Sequence, residues 1–151
     1  MKEKQEERKD ILLEIKTEEL IRTAMGMKKA AYAPYSNFCV GAALQTASGR
    51  IIGGFNIENA SFGATNCAER TAIFTALQQG EKEFKALAVV GDPENYTYPC
   101  GICRQVMVEF ADGDMPVIIA KNEAEYVIHS LREILPGAFT KEDLTERSKD
   151  V

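Results

Sequence analysis

Three cysteines and one glutamate, in two separated stretches, are the residues of this chain best suited to chemistry. "NCAERTAIF", residues 66 to 74, sets Glu69 two positions after Cys67 at the start of an apolar, helix-like run. "YPCGICRQ", residues 98 to 105, sets Cys100 and Cys103 three apart, so in the first turn of a helix they share one face. A lone C-x-x-C can be a redox motif or half of a structural zinc site. A third cysteine at the start of a different helix changes the reading. Two helix N-termini can point their positive ends at one spot, which lowers thiol pKa values and suits a cation bound by thiolates.

Three thiolates are one short of a closed site: structural zinc normally has four protein ligands, whereas catalytic zinc keeps a position for water. Cys39 lies in an apolar, strand-like run and reads as a core cysteine rather than a fourth ligand. The single histidine is His129, so a metal site here is built mostly from sulfur. With an open position Glu69 acquires a role, because zinc lowers the pKa of a coordinated water and a carboxylate beside it can take the proton. Arg70 reads as a hydrogen-bond donor to the thiolates, against the plainer alternative of a surface helix charge.

Alternating strands and helices must position these groups. "TEELIRTAMGMKKAAYA" spaces Leu20, Ala24, Met27 and Ala31 as a helix does, with Thr17 as a cap, Glu18 and Glu19 at its positive end and Pro34 as its stop. "FCVGAALQT" and "RIIGGFNIE" flank "ASG" as a hairpin. Residues 67 to 79 put Ala68, Ala72, Ile73, Ala76 and Leu77 on one helical face, and Gly80 ends the run. "KALAVVG" and "PVIIA" are short continuous apolar runs, as in strands buried on both faces. "GICRQVMVEFADG" reads as a helix, "EYVIHSL" as a further strand, and "REILPGAF" as a short helix or turn before a polar tail. The order argues for a layered α/β domain.

The bulk of the chain sets limits. Its 151 residues suffice for one domain, taken here as 17–151 behind an N-terminal extension, 1–16, in which "ILLEI" could add a helical turn. No stretch approaches the roughly 20 apolar residues of a membrane span. "MKEKQEERKD" lacks the apolar core of a signal peptide, so a cytoplasmic protein is expected. Disulfides are then improbable and clustered cysteines read as metal-binding or catalytic. A net charge of −5, with basic residues interleaved among glutamates, argues against a polynucleotide partner and for a small uncharged substrate.

Cys67, Glu69, Pro99, Cys100 and Cys103 together match the zinc-deaminase signature: a ligand, one residue and glutamate, then P-C-x-x-C. Beyond it, the sequence resembles the small homotetrameric cytidine deaminases from about Thr17 to Leu144. The stretches that carry this are "AYAPYSNFCVGAAL", "GFNIENASFG", "NCAERTAIF", "PCGICRQVM" and "LPGAF". The resemblance implies a three-layer α/β/α sandwich around a five-stranded mixed β-sheet. It also implies hydrolysis of cytidine and deoxycytidine to uridine and deoxyuridine, with release of ammonia, in pyrimidine salvage.

It further implies one zinc ion per subunit on Cys67, Cys100 and Cys103, with Glu69 as the proton shuttle. Asn56 and Glu58 would bind the ribose, Phe38 would lie beside the nucleoside, and the Ala68 backbone against the base. Phe139 would close the site of a neighbouring subunit, so that the homotetramer is needed for activity. Three residues depart from the pattern: Tyr98 where many relatives have a small residue, Ile102 for alanine, and Phe62 for a frequent tyrosine. They bear on substrate range and affinity rather than on reaction type. The rival readings are a zinc deaminase of nucleotides, of bases in RNA or DNA or of a non-nucleoside aminopyrimidine, a non-catalytic zinc module and a thiol redox protein. "NIEN" and the acidic charge speak against the first; Glu69 and the open position against the second; Cys67 and Glu69, which a redox motif leaves unexplained, against the third.

Overall fold

A computed structural model describes residues 3–7 and 14–147 of the chain. Helix α1 spans Thr17–Ala30, with Glu18 and Glu19 in its first turn and Lys28 and Lys29 in its last, charges that complement the helix dipole. Two details differ from the sequence expectation. The cap position is Lys16, with no side-chain cap bond, and Thr17 is already helical. The helix also stops before Pro34, because the Tyr32 backbone pairs instead with Asn56 and Glu58, at 3.0 and 2.8 Å. Ile11 to Leu13 of "ILLEI" lie outside the described residues. Its Glu14 and Ile15 form a turn rather than a helix, with Ile15 buried and the Gln45 side chain bonded to both the Glu14 carbonyl and the Lys16 N–H.

Five strands follow: β1 Gly41–Thr46, β2 Ile51–Phe55, β3 Phe84–Val90, β4 Pro116–Ala120 and β5 Tyr126–Ser130. They form one mixed sheet in the order β2-β1-β3-β4-β5, parallel between β3 and β4 and antiparallel elsewhere. The β1–β2 hairpin turns through Gly49, whose φ of 89° is a conformation glycine adopts without penalty. Between the strands come α2 (Ala68–Gln78) and α3 (Gly101–Phe110); after β5 come the short α4 (Leu131–Ile134) and α5 (Lys141–Arg147), the latter in the tail that the sequence reads only as polar.

The side-chain period of a strand then divides the core in two. Ala43, Ala86, Ala88, Val90, Ile118 and Ala120 face α1, through Leu20, Ile21 and Ala24. Leu44, Leu87, Val89, Val117 and Ile119 face the other way, onto Ala72, Ile73 and Ala76 of α2 and Met107 of α3. The result is a three-layer α/β/α sandwich.

The layer carrying α2 sits unusually close to the sheet. A Cβ on Gly54 of β2 would collide with the Ala72 N and lie 2.6 Å from the Ala68 carbonyl oxygen, both backbone atoms of α2. Glycine there lets the first turn of α2 rest directly on the strand. Gly54→Ala is expected to destabilise the fold by about 1–3 kcal/mol or more, as overpacking against backbone does. Urea denaturation measures this, and an unchanged midpoint would show that α2 can shift freely.

Candidate metal centre

Cys67 and Cys100 occupy the same structural position on different helices. Cys67 is the N-cap of α2 and Cys100 the N-cap of α3, both in extended backbone conformation, and neither side chain is spent on a cap hydrogen bond. Cys103 lies one turn into α3 and is fully buried. The three sulfurs lie within 4.8 Å of one another, and Cys67 Sγ is 3.9 Å from Cys100 Sγ. Zinc–sulfur bonds of about 2.3 Å at tetrahedral angles separate sulfurs by about 3.8 Å, so the spacing and the donor type both fit zinc. Cys39 is half-buried beside Val40 and is not part of this cluster.

Glu69, in the first turn of α2, is 4% exposed, so it is neither a surface acid nor solvated. Its Oε2 lies 3.6 Å from Cys103 Sγ. Burial pushes its carboxyl up to about 7, with the Cys67 charge adding to the rise. Among the sulfurs the proton is unevenly shared. Cys67 is drawn down to about 5 by the hydrogen bond from Cys103 and by Arg70, while Cys103 is raised by that same bond and by burial.

Arg70 Nη2 is 3.3 Å from Cys67 Sγ. Its charge matters to the sum. Three thiolates with a divalent cation leave one negative charge in excess, and the guanidinium cancels it. An adjacent carboxylate then faces a neutral cluster rather than an anionic one.

The loop residues beside the cluster form a second network. Glu58 Oε1 accepts the Tyr35 and Ser36 N–H groups at 2.9 and 3.0 Å, and Oε2 accepts the Ser36 hydroxyl. These bonds, the hydroxyl's first, hold the carboxyl below its ordinary range. Asn56 is buried, accepting from Val40 N–H at 2.9 Å and donating to the Phe38 carbonyl at 2.8 Å. Asn56 therefore fixes the backbone on both sides of Cys39, and with it the half-exposed Phe38 ring. Sequence spacing alone gives no sign of this, because the partners are eighteen and sixteen positions away.

Ala68 is fully buried, and Phe139 stands 55% exposed in the segment after α4. Gln105 Nε2 donates to the Phe139 carbonyl at 2.8 Å, so α3 holds that segment. Phe62, Ile102 and Tyr98 are also largely exposed. A groove of about 620 Å³ lies farther along α3, around Phe110, Gly113, Arg132 and Lys141; none of the cysteines or Glu69 lines it.

Comparison with known proteins agrees with this geometry. Residues 14–119 match the family model described as the cytidine and deoxycytidylate deaminase zinc-binding region. The chain is 49% identical over 128 residues to a cytidine deaminase of Sporosarcina psychrophila, covering 85% of this chain and 94% of the relative. Among solved structures, the cytidine deaminase of Burkholderia pseudomallei superposes with a TM-score of 0.75 at 48% identity, covering 80% of this chain and 96% of that one. That of Mycobacterium tuberculosis gives 0.74 at 34% identity, covering 83% and 98%.

Two outcomes are expected of the site itself. Arg70→Gln removes the hydrogen bond to Cys67 and is expected to weaken zinc binding about tenfold in chelator competition, as loss of an outer-shell partner does; unchanged affinity would make Arg70 a bystander. In chelator-stripped protein, Glu69 keeps its proton up to about 7 against an ordinary 4.5. The folded form then binds a proton that the unfolded chain has released, so this contribution to stability is full below 4.5 and lost as pH rises through 7. Urea midpoints of the stripped native protein are expected to fall relative to Glu69→Gln across that window. Midpoints that run parallel throughout would mean that Glu69 titrates normally.

Proposed function

The chain belongs to the cytidine and deoxycytidylate deaminase family, and we propose that its zinc ion is bound by Cys67, Cys100 and Cys103 while Glu69 moves the protons of the reaction. The enzyme is a zinc-dependent hydrolase that converts cytidine and water to uridine and ammonia, a step of pyrimidine salvage. The observation that carries the assignment of roles is the placement of a buried carboxylate, Glu69, 3.6 Å from one sulfur of the cluster.

Zinc held by three thiolates supplies the Lewis acidity that activates water beside it. The rest falls to the chain's own groups. Glu69 accepts a proton from the attacking water and passes it to N3 of the pyrimidine. Protonation at N3 makes C4 electrophilic, and the water oxygen adds there to give a tetrahedral carbon. Glu69 then carries the second proton of the water to the exocyclic nitrogen, the C4–N bond breaks, and ammonia leaves a C4 carbonyl behind. Burial that favours the neutral carboxyl brings its two protonation states closer in energy, so it can both take and return a proton, as this sequence of steps requires.

Glu58 accepts the ribose hydroxyls in this reading with the lone pairs that Tyr35 and Ser36 leave unused, and Asn56 assists from its buried position. Phe38 lies against the nucleoside, and the Ala68 backbone against the base. Phe139, exposed on its own chain, reaches the site of a neighbouring subunit in a homotetramer. Deoxycytidine is proposed as a second substrate of the same site. The deaminase domain is residues 17–151, with 1–16 an extension, and the enzyme is cytoplasmic. Among the described residues no helix is long and apolar enough to cross a membrane.

Glu69→Gln keeps the shape of the side chain and the three sulfurs but cannot accept a proton. It is expected to retain one zinc per subunit, measured by elemental analysis, while cytidine turnover, followed by ultraviolet absorbance and ammonia release, falls by about 10²–10⁴-fold or more. A zinc-loaded mutant that turns over normally would place the proton shuttle elsewhere.

A further inference from the structure

The loop that carries Cys100 is held from outside the cluster by side chains that no part of the reaction uses. The Tyr98 hydroxyl lies 3.0 Å from His129 Nε2, with the two rings 5.6 Å apart. His129 Nδ1 is 3.7 Å from Glu133 Oε2. Glu133 is itself fixed, because it completes a capping box with Ser130 at the start of α4: its Oε2 accepts the Ser130 N–H at 2.8 Å. A chain of contacts thus runs from the capped end of α4 to Tyr98.

Tyr98 is followed by Pro99 and then Cys100. Proline locks its own φ and confines the residue before it to extended conformations, so this tripeptide is stiff and the placement of Tyr98 is passed on to Cys100. Arg104 braces the same point from α3. Its Nε donates to the Pro99 carbonyl at 2.7 Å, its Nη1 to the Ile134 carbonyl at 2.6 Å, and its guanidinium lies 6.0 Å from the centre of the Tyr98 ring. Two independent links, Tyr98–His129 and Arg104–Ile134, therefore tie the Cys100 loop to β5 and to the last residue of α4.

We infer that Tyr98, held by His129, is a positioning residue for Cys100 that slows the release of zinc from the thiolate cluster. Of the three cysteines Cys100 is the exposed one, Cys67 being half-buried and Cys103 buried. Cys100 sits at the junction of the loop and α3, so the ease with which it swings away governs release. Preorganisation by groups outside the ligand set acts in this way at metal sites. The inference rests on the zinc reading proposed above.

The test is the rate at which zinc passes from the full-length, zinc-loaded protein to a chromogenic chelator, read alongside kcat and KM for cytidine. Tyr98→Phe keeps the ring and loses the hydroxyl; His129→Leu loses the partner; His129→Gln restores a polar group there. Tyr98→Phe and His129→Leu are each expected to release zinc about three- to tenfold faster, the loss of one hydrogen bond at an outer-shell position. His129→Gln is expected to stay close to native, and the double mutant Tyr98→Phe/His129→Leu to release no faster than either single one, because both remove the same contact. Native release rates in Tyr98→Phe, or fully additive effects, would overturn the inference. So would a rise in KM with release unchanged, which would make Tyr98 a wall of the substrate pocket. A native protein that holds no zinc would overturn this inference and the zinc reading together, whereas native zinc content with unaltered release overturns this one alone.

Discussion

Three sulfurs held within 4.8 Å of one another repel as soon as they ionise, and keeping them together is the constraint on which this structure turns. Two helix N-termini meet at the cluster, each with a cysteine at its N-cap position, and their dipoles favour negative charge at that spot. Arg70 supplies a full positive charge at 3.3 Å from Cys67. A divalent cation completes the neutralisation, which is why the cluster reads as a zinc site and not as three ordinary thiols.

The layers of the fold serve that meeting of helices. β3 and β4 are parallel, so the connection between them carries α3 across one face of the sheet, beside α2. Gly54 then lets α2 approach its strand without a side chain between them. The opposite face, lined by Ala43, Ala86, Ala88 and Ala120, accepts α1 and has no part in the chemistry. One face of the sheet thus builds the core that supports the site, and the other gives the sheet the cover that a parallel pair requires.

Burial does the remaining chemical work. A carboxyl in water would stay ionised at neutral pH and would be a poor proton carrier. At 4% exposure Glu69 is pushed toward its neutral form, which suits the proton transfers proposed for it. The loop residues show the opposite strategy: Glu58 is surrounded by donors that keep it charged, which suits a group that only accepts hydrogen bonds.

The sequence by itself determined the family and the order of strands and helices, and it singled out Cys67, Glu69, Cys100 and Cys103 as the residues proposed to carry the chemistry. Those features are written locally: a two-residue or three-residue spacing survives any folding, and buried strands such as "PVIIA" announce themselves by continuous apolar runs. The end of α1 at Ala30, the absence of a cap bond at its start, and the engagement of Asn56 with Phe38 and Val40 were decided only by tertiary structure. In each case a backbone group found a partner far away in sequence that competed with the local rule. The same holds for Tyr98 and His129, thirty-one positions apart. Neither residue type nor spacing marks them, because strand pairing between β4 and β5 and the start of α4 had to form before His129 could stand beside the Cys100 loop.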